Sequence, residues 1–130
     1  MDPLADLTGL HRLGLRKTNV TDLGPLRGLT ALQLLDLGDT KVADLGPLRG
    51  LTTLQLLAIP RTKVADLGPL MGLTALRFLD LTGTPIVDLM AVQGLPNLQE
   101  VEGAPVAEKQ RFDEYRAQKG LRAVGDRMRE

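Results

Sequence analysis

The stretch "LQLLDLGDTKVADLGPLRGL", residues 32–51, decides how the chain folds, because it recurs as "LQLLAIPRTKVADLGPLMGL" from residue 54, 22 residues later. The shared unit is L-x-x-L-x-L-x-x-T-x-V-x-D-L-G-P-L-x-G-L-T-x. It is complete from Leu10 and Leu32, complete from Leu54 except that Ile59 replaces a leucine, nearly complete from Leu76, and decays after Leu98. A fixed period of this length is the signature of a repeat protein. We therefore predict one domain over residues 1–130, with repeats over about 4–106.

Each position of the unit has a physical role. The step Leu35-Asp36-Leu37 alternates with period two, which predicts a short strand with both leucines facing inward. The Gly-Pro pair that follows excludes a long regular helix, so we expect a tight turn or one turn of 3-10 helix. The aspartates before these pairs can cap the turns by accepting backbone N–H bonds. They are Asp22, Asp44, Asp66 and Asp88.

The repeat also predicts the architecture. One unit cannot bury its own faces, so neighbouring units stack and their strands join in a parallel sheet. Crossovers between parallel strands are nearly always right-handed. The sequence therefore predicts an α/β fold, a right-handed solenoid whose strands alternate with turns and 3-10 helix.

Composition excludes several classes of function. Sixteen basic and sixteen acidic residues give no net charge, which argues against nucleic-acid and membrane partners. The chain has no cysteine, so it holds no disulfide and no thiolate site. The start "MDPLADLTGL" lacks a basic region followed by an apolar run, so no signal peptide is predicted. We expect a cytoplasmic protein, and delivery as a secreted effector stays open.

The motif L-x-x-L-x-L-x-x-T-x-V resembles the leucine-rich repeat, and the return D-L-x-P-L-x-G-L resembles the bacterial internalin-like class. The resemblance implies a curved solenoid, a concave parallel sheet and a role in binding other proteins. The family position commonly held by Asn is threonine here, at Thr18, Thr40, Thr62 and Thr84. A threonine hydroxyl still donates and accepts, so we expect a structural ladder formed with the turn aspartates. No base stands beside these hydroxyls to activate a nucleophile.

The C-terminal part departs from the repeat. Pro105 and Gly120 are typical of a helix start and end, which predicts a capping helix over about 105–119. Phe112 and Tyr115 share one face of it and are predicted to close the last coil. Residues 121–124 are predicted to add a short final strand, followed by a frayed tail within 120–130.

The outward strand positions are the candidate binding site. Residues 22 apart lie on adjacent strands, so Leu34, Leu56 and Phe78 form an apolar stripe on the concave sheet. Charged residues at both ends complete an apolar centre with a charged rim, which is typical of protein-binding surfaces. The alternative is that a cap or tail merely covers the stripe. The candidate partner-binding residues are Arg12, Leu34, Asp36, Leu56, Phe78, Asp80, Glu100 and Glu102.

Catalysis is not expected. His11 is the only histidine, and without Cys or Ser it cannot form a triad or a multi-histidine metal site. Asp80 and Glu102 on adjacent strands could approach the ~5 Å carboxyl spacing of a retaining glycosidase. Such a site also needs a cleft with aromatic platforms, and this face offers one Phe. We expect no enzyme activity, cofactor or metal site.

We therefore predict a protein-interaction module without chemistry of its own. One alternative is a structural or assembly element that pairs through its uncapped N-terminal coil, where Leu10, Leu13 and Leu15 would be partly exposed. A homodimer through that edge is then expected of the isolated chain. The other alternative is the recognition segment of a larger effector or immunity protein.

Overall fold

The computed structural model describes residues 9–129, and the start of the predicted repeats at residues 4–8 lies outside them. Six strands form a single sheet in which every neighbouring pair is parallel and the order follows the chain. The strands are β1 Arg12–Gly14, β2 Leu34–Asp36, β3 Leu56–Ala58, β4 Phe78–Asp80, β5 Glu100–Pro105 and β6 Gly125–Arg129. The predicted leucine-rich-repeat solenoid is confirmed.

The return segments contain the short 3-10 turns expected from Gly-Pro. They span Gly24–Leu26, Gly46–Leu48 and Gly68–Leu70. The aspartate two residues before each turn fixes its start, as when Asp44 Oδ1 accepts the Gly46 N–H at 2.7 Å. Asp22, Asp66 and Asp88 accept in the same way at 2.8 Å. Proline supplies the fixed φ that suits the first turn of a helix and donates no N–H there.

Backbone hydrogen bonds between neighbouring coils repeat with the sequence. The N–H at the start of each strand donates to the preceding coil, as from Gln55 to the Gln33 carbonyl and from Arg77 to the Gln55 carbonyl, both 2.8 Å. After each strand the direction reverses, as from Leu37 N to the Ala58 carbonyl at 2.8 Å. Stacking therefore satisfies the polar backbone groups that one coil alone would leave unpaired.

The core is a column of aliphatic side chains. The inward strand residues Leu35, Leu57 and Leu79 are buried, and so are Val42 and Val64 from the return segments. Each such side chain contributes roughly 1.5–3 kcal/mol on burial. Leu10, Leu13 and Leu15 in the first described coil are only partly buried.

The threonine hydroxyls bond within their own coil. Thr40 Oγ1 donates to the Leu37 carbonyl at 2.7 Å, and Thr62 Oγ1 donates to the Ile59 carbonyl at 2.9 Å. Thr18 and Thr84 repeat the bond to the carbonyl three residues back, at 2.7 and 2.6 Å. Thr40, Thr62 and Thr84 are buried, whereas Thr18 is exposed. These hydroxyls close the turn after each strand.

Side-chain bonds between coils come from a different repeat position. Thr53 Oγ1 donates to the carbonyls of Thr30 and Leu32, both at 2.8 Å. At the same repeat position two coils later, Asn97 Nδ2 donates to the Thr74 carbonyl at 2.7 Å. The equivalent residues in the other coils are alanines, so the repeat pattern did not predict hydrogen bonds at this position.

The C-terminal cap differs from the prediction in its bounds. Pro105 ends strand β5, a 3-10 turn follows at Val106–Glu108, and helix α1 runs over Lys109–Gln118. The predicted start at Pro105 precedes the α-helix by a 3-10 turn, because Pro105 still pairs with Arg129 of β6. Residues 121–124 form no strand, and the final strand is β6, within the predicted tail. Gly120 has φ 69° and ends the helix, as expected.

A buried arginine joins α1 to the last coil. Arg116 is 1% exposed; its Nη1 donates to the carbonyls of Gln93 at 3.0 Å and Leu95 at 2.8 Å. Its Nε donates to the Arg122 carbonyl at 2.9 Å, and the guanidinium lies 5.8 Å from the ring centre of Phe112. Phe112 is buried in the core, as the prediction of a closing face required. Burial lowers the pKa of Arg116, and the nearby Asp113 opposes this.

Candidate functional site

The outer side of the sheet, called here the concave face, carries an apolar stripe. Strand pairing places Leu34 beside Leu56 and Leu56 beside Phe78. Leu34 and Leu56 are half-buried, and Phe78 is 39% exposed. The residues that follow them, Leu35, Leu57 and Leu79, point into the core, as period-two alternation requires. The stripe is therefore an apolar surface in contact with solvent.

The eight candidate residues lie together on this face. Arg12 pairs with Leu34 at one end of the stripe, and Phe78 pairs with Glu100 at the other. The next outward position of each strand places Asp36 beside Ala58, Ala58 beside Asp80, and Asp80 beside Glu102. The stripe thus runs from a basic residue on β1 to acidic residues on β4 and β5.

A depression of about 240 Å³ lies near the acidic end of the stripe. It is lined by Leu56, Leu57, Ala58, Phe78, Leu79, Asp80, Glu100 and Glu102. Its volume is below the roughly 300–1,000 Å³ of small-molecule pockets. The depression suits one or two side chains of a protein partner better than a whole small ligand.

The opposite side of the stripe is bordered by polar residues that sequence reasoning did not assign to the site. Gln33, Gln55 and Arg77 line a second shallow depression of about 190 Å³ together with Arg12 and the stripe. The repeat could have predicted this polar border, because Gln33, Gln55 and Arg77 occupy the same position in three consecutive coils. The apolar stripe therefore lies between two polar borders.

Two candidate aspartates are engaged by the loops that follow their strands. Asp36 Oδ2 accepts from Arg16 Nε at 2.9 Å, and its Oδ1 accepts from the Gly38 N–H at 2.9 Å. Asp80 Oδ1 accepts from the Thr82 N–H at 3.0 Å and from the Thr82 hydroxyl at 2.7 Å. These carboxylates hold the strand ends in place as well as contributing to the charged border.

A chain of ion pairs beside the stripe was missed from the sequence. Asp39 Oδ1 accepts from Arg61 Nε at 2.6 Å, Asp39 Oδ2 accepts from Arg61 Nη2 at 2.8 Å, and Arg16 Nη1 lies 3.4 Å from Oδ2. The hydrogen bonds from Arg61 hold the pKa of Asp39 below its usual value, opposed by partial desolvation. The same contact raises the pKa of Arg61. The signal was the 22-residue spacing between Asp39 and Arg61, which places opposite charges on adjacent coils.

Within residues 9–129, no group of three His, Asp or Glu side chains is arranged to hold a metal ion. In the same part of the chain, no helix has the length and apolar character to cross a bilayer. Asp80 and Glu102 are in register on adjacent strands, and His11 is exposed just before β1.

No protein-family model matches the sequence, and no curated protein matches it either. Solved structures do. The chain is similar to an internalin (InlF) of Listeria monocytogenes, at 30% identity and a TM-score of 0.75 over 81% of this chain and 32% of that one. It is also similar to internalin C2 of the same organism, at 36% identity and a TM-score of 0.72 over 80% of this chain and 47% of that one. The chain thus spans about a third and about half of their lengths.

A more distant likeness concerns the fold alone. A plant peptide hormone receptor, RGFR1, solved in complex with RGF2, matches 75% of this chain and 17% of its own, at 19% identity and a TM-score of 0.65. The Toll–Spatzle complex of Drosophila matches 78% of this chain and 16% of its own, at 16% identity and a TM-score of 0.64.

Proposed function

Because the chain is an internalin-like leucine-rich-repeat solenoid, we propose that it is a protein-interaction module that binds a partner on its concave face. It performs no catalysis of its own in this proposal, and the partner is a protein rather than a nucleic acid or a membrane. The cytoplasmic location expected from the sequence stays a prediction.

The observation that carries the proposal is the stripe of Leu34, Leu56 and Phe78. Three consecutive coils place an apolar side chain at a position where solvent contact favours a polar one. Removing these side chains from water on binding is favourable by about 25 cal/mol per Å². Large side chains that fill well-packed pockets often carry most of the binding energy, which points to Phe78, the largest side chain of the stripe and part of the lining of the depression.

The structural neighbours support the class of partner. Two of them were solved as complexes with protein or peptide ligands, the hormone receptor with RGF2 and Toll with Spatzle. The shared architecture therefore accommodates protein recognition, and we carry that class of partner, and no identity, to this chain.

Site-specific photo-crosslinking tests the proposal. A photoreactive phenylalanine analogue at Phe78 keeps the aromatic ring in place, and irradiation in the native source should link it to a discrete protein. The same analogue at Arg49, exposed on the return side, is the matched control. A product formed only from position 78 supports binding on the concave face. Equal products from both positions, or none from position 78, would contradict it.

Self-association is the second candidate, and the partial exposure of Leu10, Leu13 and Leu15 favours it. Two chains that meet at β1 would cover these leucines and pair an open strand edge. Light scattering over a concentration series measures the mass. A dimer that Leu13→Glu dissociates supports pairing at this edge, and a monomer even at the highest concentration rejects it.

The chain spans well under two thirds of the internalins that it matches, so a role as the recognition segment of a larger effector or immunity protein also stays proposed. In that case the concave face would bind the partner, and other parts of the larger protein would act on it.

A further inference from the structure

The return sides of the third and fourth coils depart from the repeat at three positions. The repeat position held by Arg27 and Arg49 is occupied by Met71 in the next coil. The position of Ala43 and Ala65 is occupied by Val87, and that of Gly46 and Gly68 by Met90. Each change replaces a charged or small residue with a larger apolar one. Met71 is 65% exposed, Val87 75% and Met90 58%. No core requirement explains the changes, because these side chains lie in solvent.

The three side chains line one surface, called here the methionine patch. They surround a depression of about 280 Å³ that also contains Asp66, Asp88 and parts of the neighbouring turns. A second depression of about 390 Å³ begins beyond Met90 and continues onto helix α1, where Tyr115 and the oppositely charged Arg111 and Glu114 contribute to its lining. The surface is therefore long enough for a peptide segment.

The charges beside the patch define what it can bind. Asp66 Oδ1 is fixed by the Gly68 N–H and Asp88 Oδ1 by the Met90 N–H, both at 2.8 Å. No Lys or Arg lines the depression around Met71, and within residues 9–129 neither aspartate forms a salt bridge. Two carboxylates thus flank an apolar surface in a region where the earlier coils carry Arg27 and Arg49. A complementary ligand has an apolar side chain flanked by cations.

We propose that the methionine patch is a second interaction surface, which binds a protein segment with a large apolar side chain flanked by Lys or Arg. Methionine suits this role because its unbranched, polarisable side chain adapts to different apolar partners. The inference goes beyond the concave-face function, since the patch lies on the return side and shares no residue with the stripe.

A phage-displayed library of random peptides, selected on the full chain, provides the ligands. Peptides that bind the patch should combine Leu, Met or an aromatic residue with Lys or Arg, and should shift the methyl NMR signals of Met71 and Met90. Met71→Arg should weaken these peptides roughly thirtyfold, the equivalent of about 2 kcal/mol. This variant restores the arginine that two earlier coils carry at the same position, so its melting curve should match that of the native chain.

Phe78→Ala is the matched control, because it alters the concave face and leaves the patch intact. Peptides equally weakened by Phe78→Ala, or acidic peptides, would overturn the proposal. So would a selection that enriches no peptide over the Met71→Arg chain. A dimer that Met71→Arg dissociates would show that the patch binds a second copy instead.

Discussion

Thr62 shows how one hydroxyl stabilises a whole turn. It is 5% exposed and donates to the Ile59 carbonyl, so no water can replace it when it is removed. Thr18 makes the same bond to Leu15 at an exposed position. The two sites therefore have the same hydrogen bond and differ in burial. Comparing them distinguishes the contribution of the hydrogen bond itself from the contribution of its burial.

Thr62→Val is expected to lower the free energy of unfolding by about 1–3 kcal/mol, because it keeps the shape and leaves a buried carbonyl without its donor. Thr18→Val should cost less, since water can reach the freed carbonyl. Urea unfolding of both variants measures the difference. Equal costs at the two positions would contradict a role for burial.

The ion pair between Asp39 and Arg61 makes the free energy of unfolding depend on pH. Its pKa in the folded protein is lowered from 3.8 by the hydrogen bonds from Arg61, so the folded state favours the carboxylate more than the unfolded state does. The resulting stability is present above about pH 4 and is lost as the pH falls through the lowered folded pKa. Asp39→Asn is the informative change, because Asn tolerates the positive φ of 57° at this position as well as Asp does.

We expect Asp39→Asn to be less stable than the native chain at pH 7 and low salt, with the difference shrinking towards pH 2. Urea midpoints at several pH values measure it. High salt at pH 7 should also reduce the difference, since solvent reaches both partners, with the Arg61 side chain 52% and the Asp39 side chain 26% exposed. A difference that persists unchanged at pH 2 would show that the ion pair is not its cause.

The turn after each strand depends on a residue with positive φ, namely Lys17, Asp39, Arg61 and Gly83 in successive coils. In the first three coils its N–H donates to a carbonyl of the next coil, as from Arg61 to Thr82 at 2.7 Å. Stacking thus holds even bulky residues in a conformation that L-residues disfavour. In the next coil the positive φ occurs within β5, at Gly103, where φ is 77° and a side chain would meet the backbone of Thr82.

Gly103→Ala should lower the free energy of unfolding by about 2–5 kcal/mol, because the new methyl group would collide with backbone atoms of Thr82 and the φ is unfavourable. Gly72→Ala is the control, since its methyl group would meet no atom within 4 Å and its φ is not positive. Thermal unfolding compares the two. A Gly103→Ala chain as stable as the control would mean that Gly103 does not lie against the backbone of Thr82 as described.

Elements that repeat were predictable from the sequence, and elements that occur once were less so. The strands, the 3-10 turns and the outward position of Leu34 follow from a period that averages over several coils. The start of α1 was misplaced because Pro105 is equally compatible with a strand end and a helix start. Arg116 gave no signal, since its burial depends on carbonyls of Gln93 and Leu95 that only the folded chain brings together.

At the scale of the whole molecule, the two sides of each strand have different roles because the coils stack. Leu57 and Leu79 build the continuous core, while Leu56 and Phe78, one residue earlier, face solvent. A shift of one residue in register would exchange these roles. Because the core is shared between neighbouring coils, the outward positions can vary from coil to coil at little cost in stability. This freedom is the basis for our proposal that the apolar stripe serves recognition.

The most direct test measures binding and folding of the same variant, Phe78→Ala, against the partner identified by crosslinking. The account predicts a loss of about 2 kcal/mol or more in binding, roughly thirtyfold in Kd, by calorimetry. It predicts a loss of no more than about 1 kcal/mol in the free energy of unfolding, the size of a cross-strand contact. Leu57→Ala, in the adjacent core position, should instead cost about 2–5 kcal/mol in stability. Unchanged affinity in Phe78→Ala, or unfolding of that variant, would contradict the claim that the stripe is a binding surface.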